Sequence, residues 1–340
     1  HVDVRVNSEA VEMDPEQKTV TVADQNRTYQ ENYDKLILSP GAQPIVPPMK
    51  GLHQEKVFAL RNIPDTVRIK EFVKQQSPKR AVVIGGGYIG VEMAENLAQA
   101  GVEVTIVEMA DHVIAPLDLD MACDVHLHLQ AKGVKLALGR QVTAIETKGE
   151  QLRFVLDSGI LEADMGVLCV GVKPDTAFCR KAGLLCNGRG SIMVDEHMRT
   201  NLKDIYAVGD AVEITNFVTG NKGFIPLAGP ANRQGRIAAD NICGIPSRYM
   251  GSQGSSILKV FDLTVASTGV NEKTAKEEGF SFDKMFTYSP SHAGYYPGSV
   301  PMSVKVIYEK ATGKILGAQI VGGEGVDKRC DVLAVAIRAG

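Results

Sequence analysis

The hexapeptide Gly85-Gly86-Gly87-Tyr88-Ile89-Gly90 most constrains this chain, because of what flanks it. Before it, Arg80 to Ile84 is a β-branched run that predicts a buried strand. After it, Ile89, Met93 and Leu97 recur at helical spacing, and Gly101 closes a helix predicted over Tyr88 to Ala100. A second strand is predicted over Val102 to Val107, and Glu108 ends it. A further helix, about Asp120 to Lys132, is stopped by Gly133. This is a β-α-β unit with parallel strands. Gly85 permits the tight turn, Gly87 lets a pyrophosphate approach the backbone, and Gly90 lets helix and strand pack closely. The helix N-terminus supplies free N–H groups for phosphate. Glu108 stands 18 residues after Gly90, where an acid accepts both ribose hydroxyls and repels a 2′-phosphate. The pattern predicts NADH rather than NADPH. Glu92, two residues past Gly90, is placed to bond a nicotinamide carboxamide, or is a solvated helical glutamate. Tyr88 is read either as a ring covering a bound flavin or as a packing aromatic.

The rest of the chain reads as further α/β structure. In residues 1–45, Val2, Val4 and Val6 alternate with polar neighbours, as do Val20 and Val22, and Leu36 to Leu38 form a buried strand broken by Pro40-Gly41. Ile205 to Val208 is a strand that ends in Gly209-Asp210, and a helix follows from about Gly229 to Cys243. A buried strand ending in Gly-Asp exposes one carboxylate at the carboxyl edge of a sheet, where such folds bind ligands. Beyond Pro246, four runs between Ile257 and Val321 predict an antiparallel sheet, with a helix at Asn271 to Gly279.

Composition excludes other classes. Lys+Arg is 37 against 40 Asp+Glu, a net charge of −3, so no nucleic-acid partner is expected. No run approaches a membrane span, so no membrane partner is expected either. The six cysteines form no CxxC pair and read as reduced cytoplasmic thiols, with Cys169 and Cys243 as small core hydrophobes. The seven histidines form no HExxH, so no metal site is expected. The chain starts at His1, and DVLAVAIRAG is still apolar where it stops, so a piece of a longer polypeptide is expected.

Several segments carry a resemblance. Thr200 to Asp210 (TNLKDIYAVGD) resembles the second flavin motif of the flavoproteins with two dinucleotide-binding domains. Leu38 to Ala42 (LSPGA) looks like their short Thr-Gly motif, and Val170 to Pro174 (VGVKP) like the close of their NAD domain. The order is that of pyridine nucleotide-disulfide oxidoreductases. Phe224 to Arg236, Lys259 to Thr274 and Ser291 to Gly298 (SHAGYYPG) resemble coenzyme A-disulfide reductases and CoA-persulfide reductases.

The resemblance implies two Rossmann-like domains, for FAD (incomplete) and NAD, plus a C-terminal α+β dimerisation domain. It implies an FAD-domain segment at 1–48, an NAD-binding domain with connector at 49–190, a return segment at 191–248 and an interface domain at 249–340. Flavin contacts are implied at Ala10, Ser39, Pro40, Gly41, Gly209, Asp210, Leu227 and Ala228, and a nucleotide contact at Gly171. It implies a homodimer in which Tyr295 or Tyr296 reaches the partner's redox cysteine and the CoA thiol, with Asn232 at a CoA contact. The interface-packing reading of the tyrosines stays open. The family's first GxGxxG and its Ser-Phe-x-x-Cys-Gly cysteine have no counterpart here, so both are expected outside the chain. The expected activity is NADH-dependent reduction of CoA disulfide or persulfide. The alternatives are an NADH oxidase or peroxidase, or a non-enzymatic NAD-binding redox sensor.

Overall fold

Glycine turns and β-branched runs build two compact units in a computed structural model, which describes Val2 to Gly340. The chain crosses between the units three times: His1–Gln43 and Lys173–Ser252 form one, Pro44–Val172 and Gln253–Gly340 the other.

The first unit holds an antiparallel sheet of Glu9–Asp14, Thr19–Ala23 and Thr28–Asn32, bulged after Ala10. Leu36–Leu38 pairs in parallel with Ile205–Ala207, and the helix Ala228–Ile242 completes the layer. Ile192, Ile205, Ala207, Val212 and Ala238 are at the centre of its core. The strand expected from Val2, Val4 and Val6 does not form. All three side chains are exposed, and with no ladder partner among the described residues their alternation buries nothing.

The second unit is built on five parallel strands, in the order Val57–Ala59, Met165–Leu168, Arg80–Ile84, Glu103–Glu108, Lys135–Leu138. The helices Tyr88–Gln99 and Leu119–Ala131 connect three of these strands. The helix Ile63–Gln76, not anticipated from its sequence, starts at a capping box: Asn62 accepts from the Asp65 N–H while Asp65 accepts from the Asn62 N–H. An antiparallel layer, Val142–Lys148, Gln151–Leu156 and Gly159–Ala163, packs through Phe154 against Val82, Ile84 and Leu168. Gly166 makes room for that ring, since a Cβ there would lie 2.7 Å from it.

Residues 256–322 form a second five-stranded sheet, antiparallel, in the order Ser256–Val260, Leu263–Gly269, Ile315–Gly322, Pro301–Glu309, Phe282–Pro290. Its Leu258, Val260, Val265 and Val321 belong to the same core as Val83, Ile106 and Leu129. The helix Val326–Ala339 lies against this sheet, and Glu272–Glu277 follows its second strand.

A buried ion cluster fastens the two sheets. Lys305 is 0% exposed. Its Nζ lies 2.8 Å from Asp118 and Asp120 and 2.5 Å from Glu272, and Lys284 shares Glu272 at 2.6 Å. Gln319 and Asp118 bond each other twice, side-chain amide to carboxylate and backbone N–H to amide oxygen. These three carboxylates lie close enough to share a cation, and the Lys305 ammonium is that cation. Burial acts to lower the Lys305 pKa, but its three carboxylate partners outweigh burial and raise it. Burial acts to raise Glu272, but hydrogen bonds from Lys284 and Lys305 outweigh it and lower it.

Removing one partner of such a cluster leaves buried charge uncompensated, at a cost of about 3–5 kcal/mol. Lys305→Met is expected to lose about that much stability in urea unfolding at pH 7. Glu272, with its lowered pKa, contributes stability above the ordinary carboxylate range and loses it as pH falls through the lowered value. The gap between Lys305→Met and wild type therefore narrows below about pH 4. Equal urea midpoints at pH 7 would show that the cluster does not fasten the sheets.

Candidate functional site: a dinucleotide turn and a carboxylate at a strand end

The glycine turn is shaped by close backbone approaches. Gly85 has φ +108°, and a Cβ there would lie 2.3 Å from the Cys169 carbonyl. A Cβ on Gly90 would lie 1.9 Å from the Gly85 carbonyl. No side chain fits at either position, so helix and strand close on each other as the spacing predicts. Gly87 is different: nothing lies within 4 Å of its ideal Cβ, and the residue is exposed. That open face at the start of Tyr88–Gln99 fits a pyrophosphate.

Glu108 ends its strand beside the turn. One carboxylate oxygen accepts the Gly86 N–H at 2.6 Å and the other accepts the Ala110 N–H at 2.8 Å. Each oxygen keeps a further lone pair, so the group fits a ribose diol while it also braces the turn. Gly86, which sequence reasoning passed over, is the contact point. A Cβ on it would press on Val113 at 2.9 Å and on Glu108 at 3.3 Å. The loop after Glu108 completes the brace, with the Ile114 N–H donating to the Gly86 carbonyl at 2.8 Å. Ile114 is buried at φ +58°, a strained conformation for a β-branched residue, costing on the order of 1–3 kcal/mol. No sequence signal marks this loop, because its role depends on which backbone it meets.

Tyr88 is half-buried against the core, and its hydroxyl bonds Ser256 Oγ at 2.6 Å. Glu92 lies on the exposed side of the helix, and partial burial together with the Glu95 charge raises its pKa. Gly171 has φ +100°, and its carbonyl accepts the Ile45 N–H at 2.9 Å. Tyr295 and Tyr296 are 91% and 67% exposed, on a loop held by Ser291, whose N–H donates to the Val300 carbonyl and whose carbonyl accepts from Arg329.

In the first unit, Gly209 turns the chain at φ +80°, and its N–H donates to Oε1 of buried Gln234 on the helix Ala228–Ile242. The Asp210 carboxylate that follows is half-buried and has no hydrogen-bond partner among the described residues, which fits an acceptor for a flavin's sugar-alcohol hydroxyls. Leu227 precedes that helix, which starts at Ala228 with no side-chain cap. Ser39, Pro40 and Gly41 follow the strand Leu36–Leu38, whose Leu38 carbonyl accepts the Val208 N–H. Ala10 pairs with Val22 in the antiparallel sheet, and Asn232 is exposed on the helix.

The cysteines divide by burial. Burial pushes Cys169 up to about 12, and Cys179 and Cys330 up to about 11, so these thiols stay protonated and unreactive. Cys243 is exposed and is no core hydrophobe, because it caps its helix beyond the buried face of Ile237 and Ala238. All six are free.

A braced glycine turn with an acid at the next strand end defines a dinucleotide-binding protein of the Rossmann class. Comparison with known proteins is more specific. The model of the pyridine nucleotide-disulphide oxidoreductases matches residues 1–235, and that of their dimerisation domain matches 255–340. This chain belongs to that family, whose members use FAD and NAD(P)H. It is 33% identical to an NADH oxidase of Methanocaldococcus jannaschii over 339 residues, covering 99% of this chain and 75% of that one. It is 32% identical to a coenzyme A disulfide reductase of Staphylococcus epidermidis, covering 99% and 76%. The structure of reduced CoADR-RHD from Bacillus anthracis is 49% identical with a TM-score of 0.96, over 99% of this chain and 61% of that one. A NAD-dependent persulfide reductase from A. fulgidus is 40% identical with a TM-score of 0.95, over 98% and 62%. The chain thus spans about three fifths of those two solved chains.

The two glycines separate binding from folding. Gly87→Ala puts a methyl on the open face that fits a pyrophosphate, and the expected outcome is an NADH affinity at least about tenfold lower with the melting temperature unchanged. Gly90→Ala collides with the backbone of its own turn and costs on the order of 1–3 kcal/mol of stability. Calorimetric melting beside NADH titration checks both. A Gly87→Ala protein that bound NADH normally would move the pyrophosphate elsewhere.

Proposed function

We propose that this protein is an NADH-dependent flavoprotein reductase of coenzyme A disulfide or CoA persulfide, working as a homodimer in the cytoplasm. One observation carries the redox part of the reading. The chain holds both the braced Gly85–Gly90 turn with Glu108 and, at a second strand end, the Asp210 carboxylate, which has no hydrogen-bond partner among the described residues. Similarity to the Staphylococcus epidermidis reductase and to the solved persulfide reductase supports the substrate class. The match to the dimerisation-domain model supports the dimer.

In this reading Glu108 and the amides of the glycine turn hold NADH, with Glu92 near the nicotinamide carboxamide. Asp210, with Ala10, Ser39, Pro40, Gly41, Gly209, Leu227 and Ala228, holds FAD, and the N-terminal dipole of Ala228–Ile242 favours negative charge on its ring. A flavin held there would supply hydride acceptance from NADH and two-electron delivery, for a net reaction in which NADH, a proton and CoA disulfide give NAD⁺ and two CoA thiols. Exposed Tyr295 or Tyr296 reaches the partner subunit's site, and Asn232 contacts CoA. The redox thiol of this reaction lies outside residues 1–340, since no cysteine here stands in a Ser-Phe-x-x-Cys-Gly context.

The second reading, an NADH oxidase, is favoured by the Methanocaldococcus jannaschii relative. NADH oxidation by the full-length protein separates the two. Turnover with CoA disulfide or persulfide under argon is expected. Turnover that needs oxygen and ignores CoA disulfide would favour the oxidase.

Two substitutions probe the cofactor assignments. Asp210→Ala removes a charged acceptor worth roughly 1.5–3 kcal/mol, so FAD should leave on dialysis where wild type stays yellow. Glu108→Arg removes the charge facing the 2′ position and two amide acceptors. Activity with NADH falls, and the NADH:NADPH ratio of kcat/KM moves about tenfold or more toward NADPH. An unchanged ratio would mean that Glu108 does not read the ribose.

A further inference from the structure

The loop that braces the glycine turn is itself held by a pair of histidines. His126, on the helix Leu119–Ala131, accepts the Val113 N–H at its Nε2, 3.2 Å away. An imidazole nitrogen accepts only when unprotonated, so this bond requires neutral His126 with its proton on Nδ1. His112 on the loop has the opposite arrangement. Its Nδ1 lies 2.5 Å from the Asp111 carboxylate and its Nε2 lies 3.0 Å from the Leu117 carbonyl, so both nitrogens face acceptors. Val113 and Ile114 are buried beside Gly86: the Val113 side chain occupies the space a Cβ on Gly86 would need, and the Ile114 N–H holds the Gly86 carbonyl.

The geometry points to His126 as a positioning residue for the dinucleotide: its neutral ring holds Val113, so that Ile114 stays on Gly86 and Glu108 stays aimed at the adenosine ribose. This inference rests on the reading of the Gly85–Gly90 turn and Glu108 as the dinucleotide site. The titratable groups that act on His126 are His112 and Asp111 of the loop. Burial lowers the His126 pKa, His112 lowers it further and Asp111 opposes them. Protonation, as pH falls through that lowered value, replaces the acceptor with a second N–H facing the Val113 N–H. The strained Ile114 is then free to relax, and the turn loses its brace.

The test is ADP-ribose binding to the full-length protein by titration calorimetry between pH 8 and pH 5. Wild type should bind at pH 8 and weaken about fivefold by pH 5, the order expected of one lost hydrogen bond. His126→Gln keeps an acceptor that does not titrate, so its affinity should match wild type at pH 8 and stay level to pH 5. His126→Leu should be weak throughout. In parallel, the ¹⁵N spectrum of histidine-labelled wild type at pH 8 should show His126 with an unprotonated Nε2, a readout that needs no variant to fold. Level wild-type binding, a His126→Gln profile that falls with wild type, or a protonated Nε2 would each overturn the proposal. Failure of wild type to bind ADP-ribose at pH 8 would instead overturn the dinucleotide-site reading, and this inference with it.

Discussion

Lys305 places one ammonium among three carboxylates inside the second unit, and much of the geometry nearby is anchored to it. A charge taken out of water is tolerated only where its partners are near and fully bonded. Asp118 and Asp120 come from the start of the helix Leu119–Ala131, whereas Glu272, Lys305 and Gln319 come from the C-terminal sheet and its short helix. The pairing thus fixes where the loop after Glu108 must end. That loop begins at Glu108 and carries Ile114 on Gly86 before it reaches Asp118. The strain at Ile114 persists because the loop is held at both ends and beside Ile114 itself: Glu108 is tied to the turn, Asp118 to the sheet and the buried lysine, and the Val113 N–H to His126.

The two candidate carboxylates are prepared in different ways. Glu108 is already bonded to two amides and keeps lone pairs to spare, so it supports the turn whether or not a ribose is present. Asp210 has no partner among the described residues, so its fit depends on a ligand that brings hydroxyl donors. The buried cysteines work in the opposite sense. Cys169 sits behind the turn, where its backbone carbonyl limits Gly85 and its thiol, pushed far up by burial, contributes only packing.

The fold was legible where the pattern was local. The parallel strands around Gly85–Gly90, their helices and the antiparallel C-terminal runs follow from apolar period and glycine stops. The alternation of Val2, Val4 and Val6 misled, because a period of two makes a strand only when a neighbour supplies hydrogen bonds and cover. The helix Ile63–Gln76 carried a readable cap in Asn62-Ile63-Pro64-Asp65, and the apolar period behind it is weak, with Ile69 its one buried residue. At the site, Gly85, Gly87, Gly90 and Glu108 were readable from spacing. Gly86, Val113, Ile114 and His126 were not, since their importance lies in contacts between elements that no local pattern encodes.

The shared core of the second unit bears on how this chain can be recombined. Leu258, Val260, Val265 and Val321 of the antiparallel sheet lie in one cluster with Val83, Ile106 and Leu129 of the parallel one. The Glu95 carboxylate accepts the Phe261 N–H, and Tyr88 meets Ser256 across the same boundary. A chimera joined at residues 252–253 would exchange one wall of a shared hydrophobic core along with the C-terminal sheet. The portable module is therefore the pair of sheets together, and a graft between relatives should carry 44–172 and 253–340 as one piece.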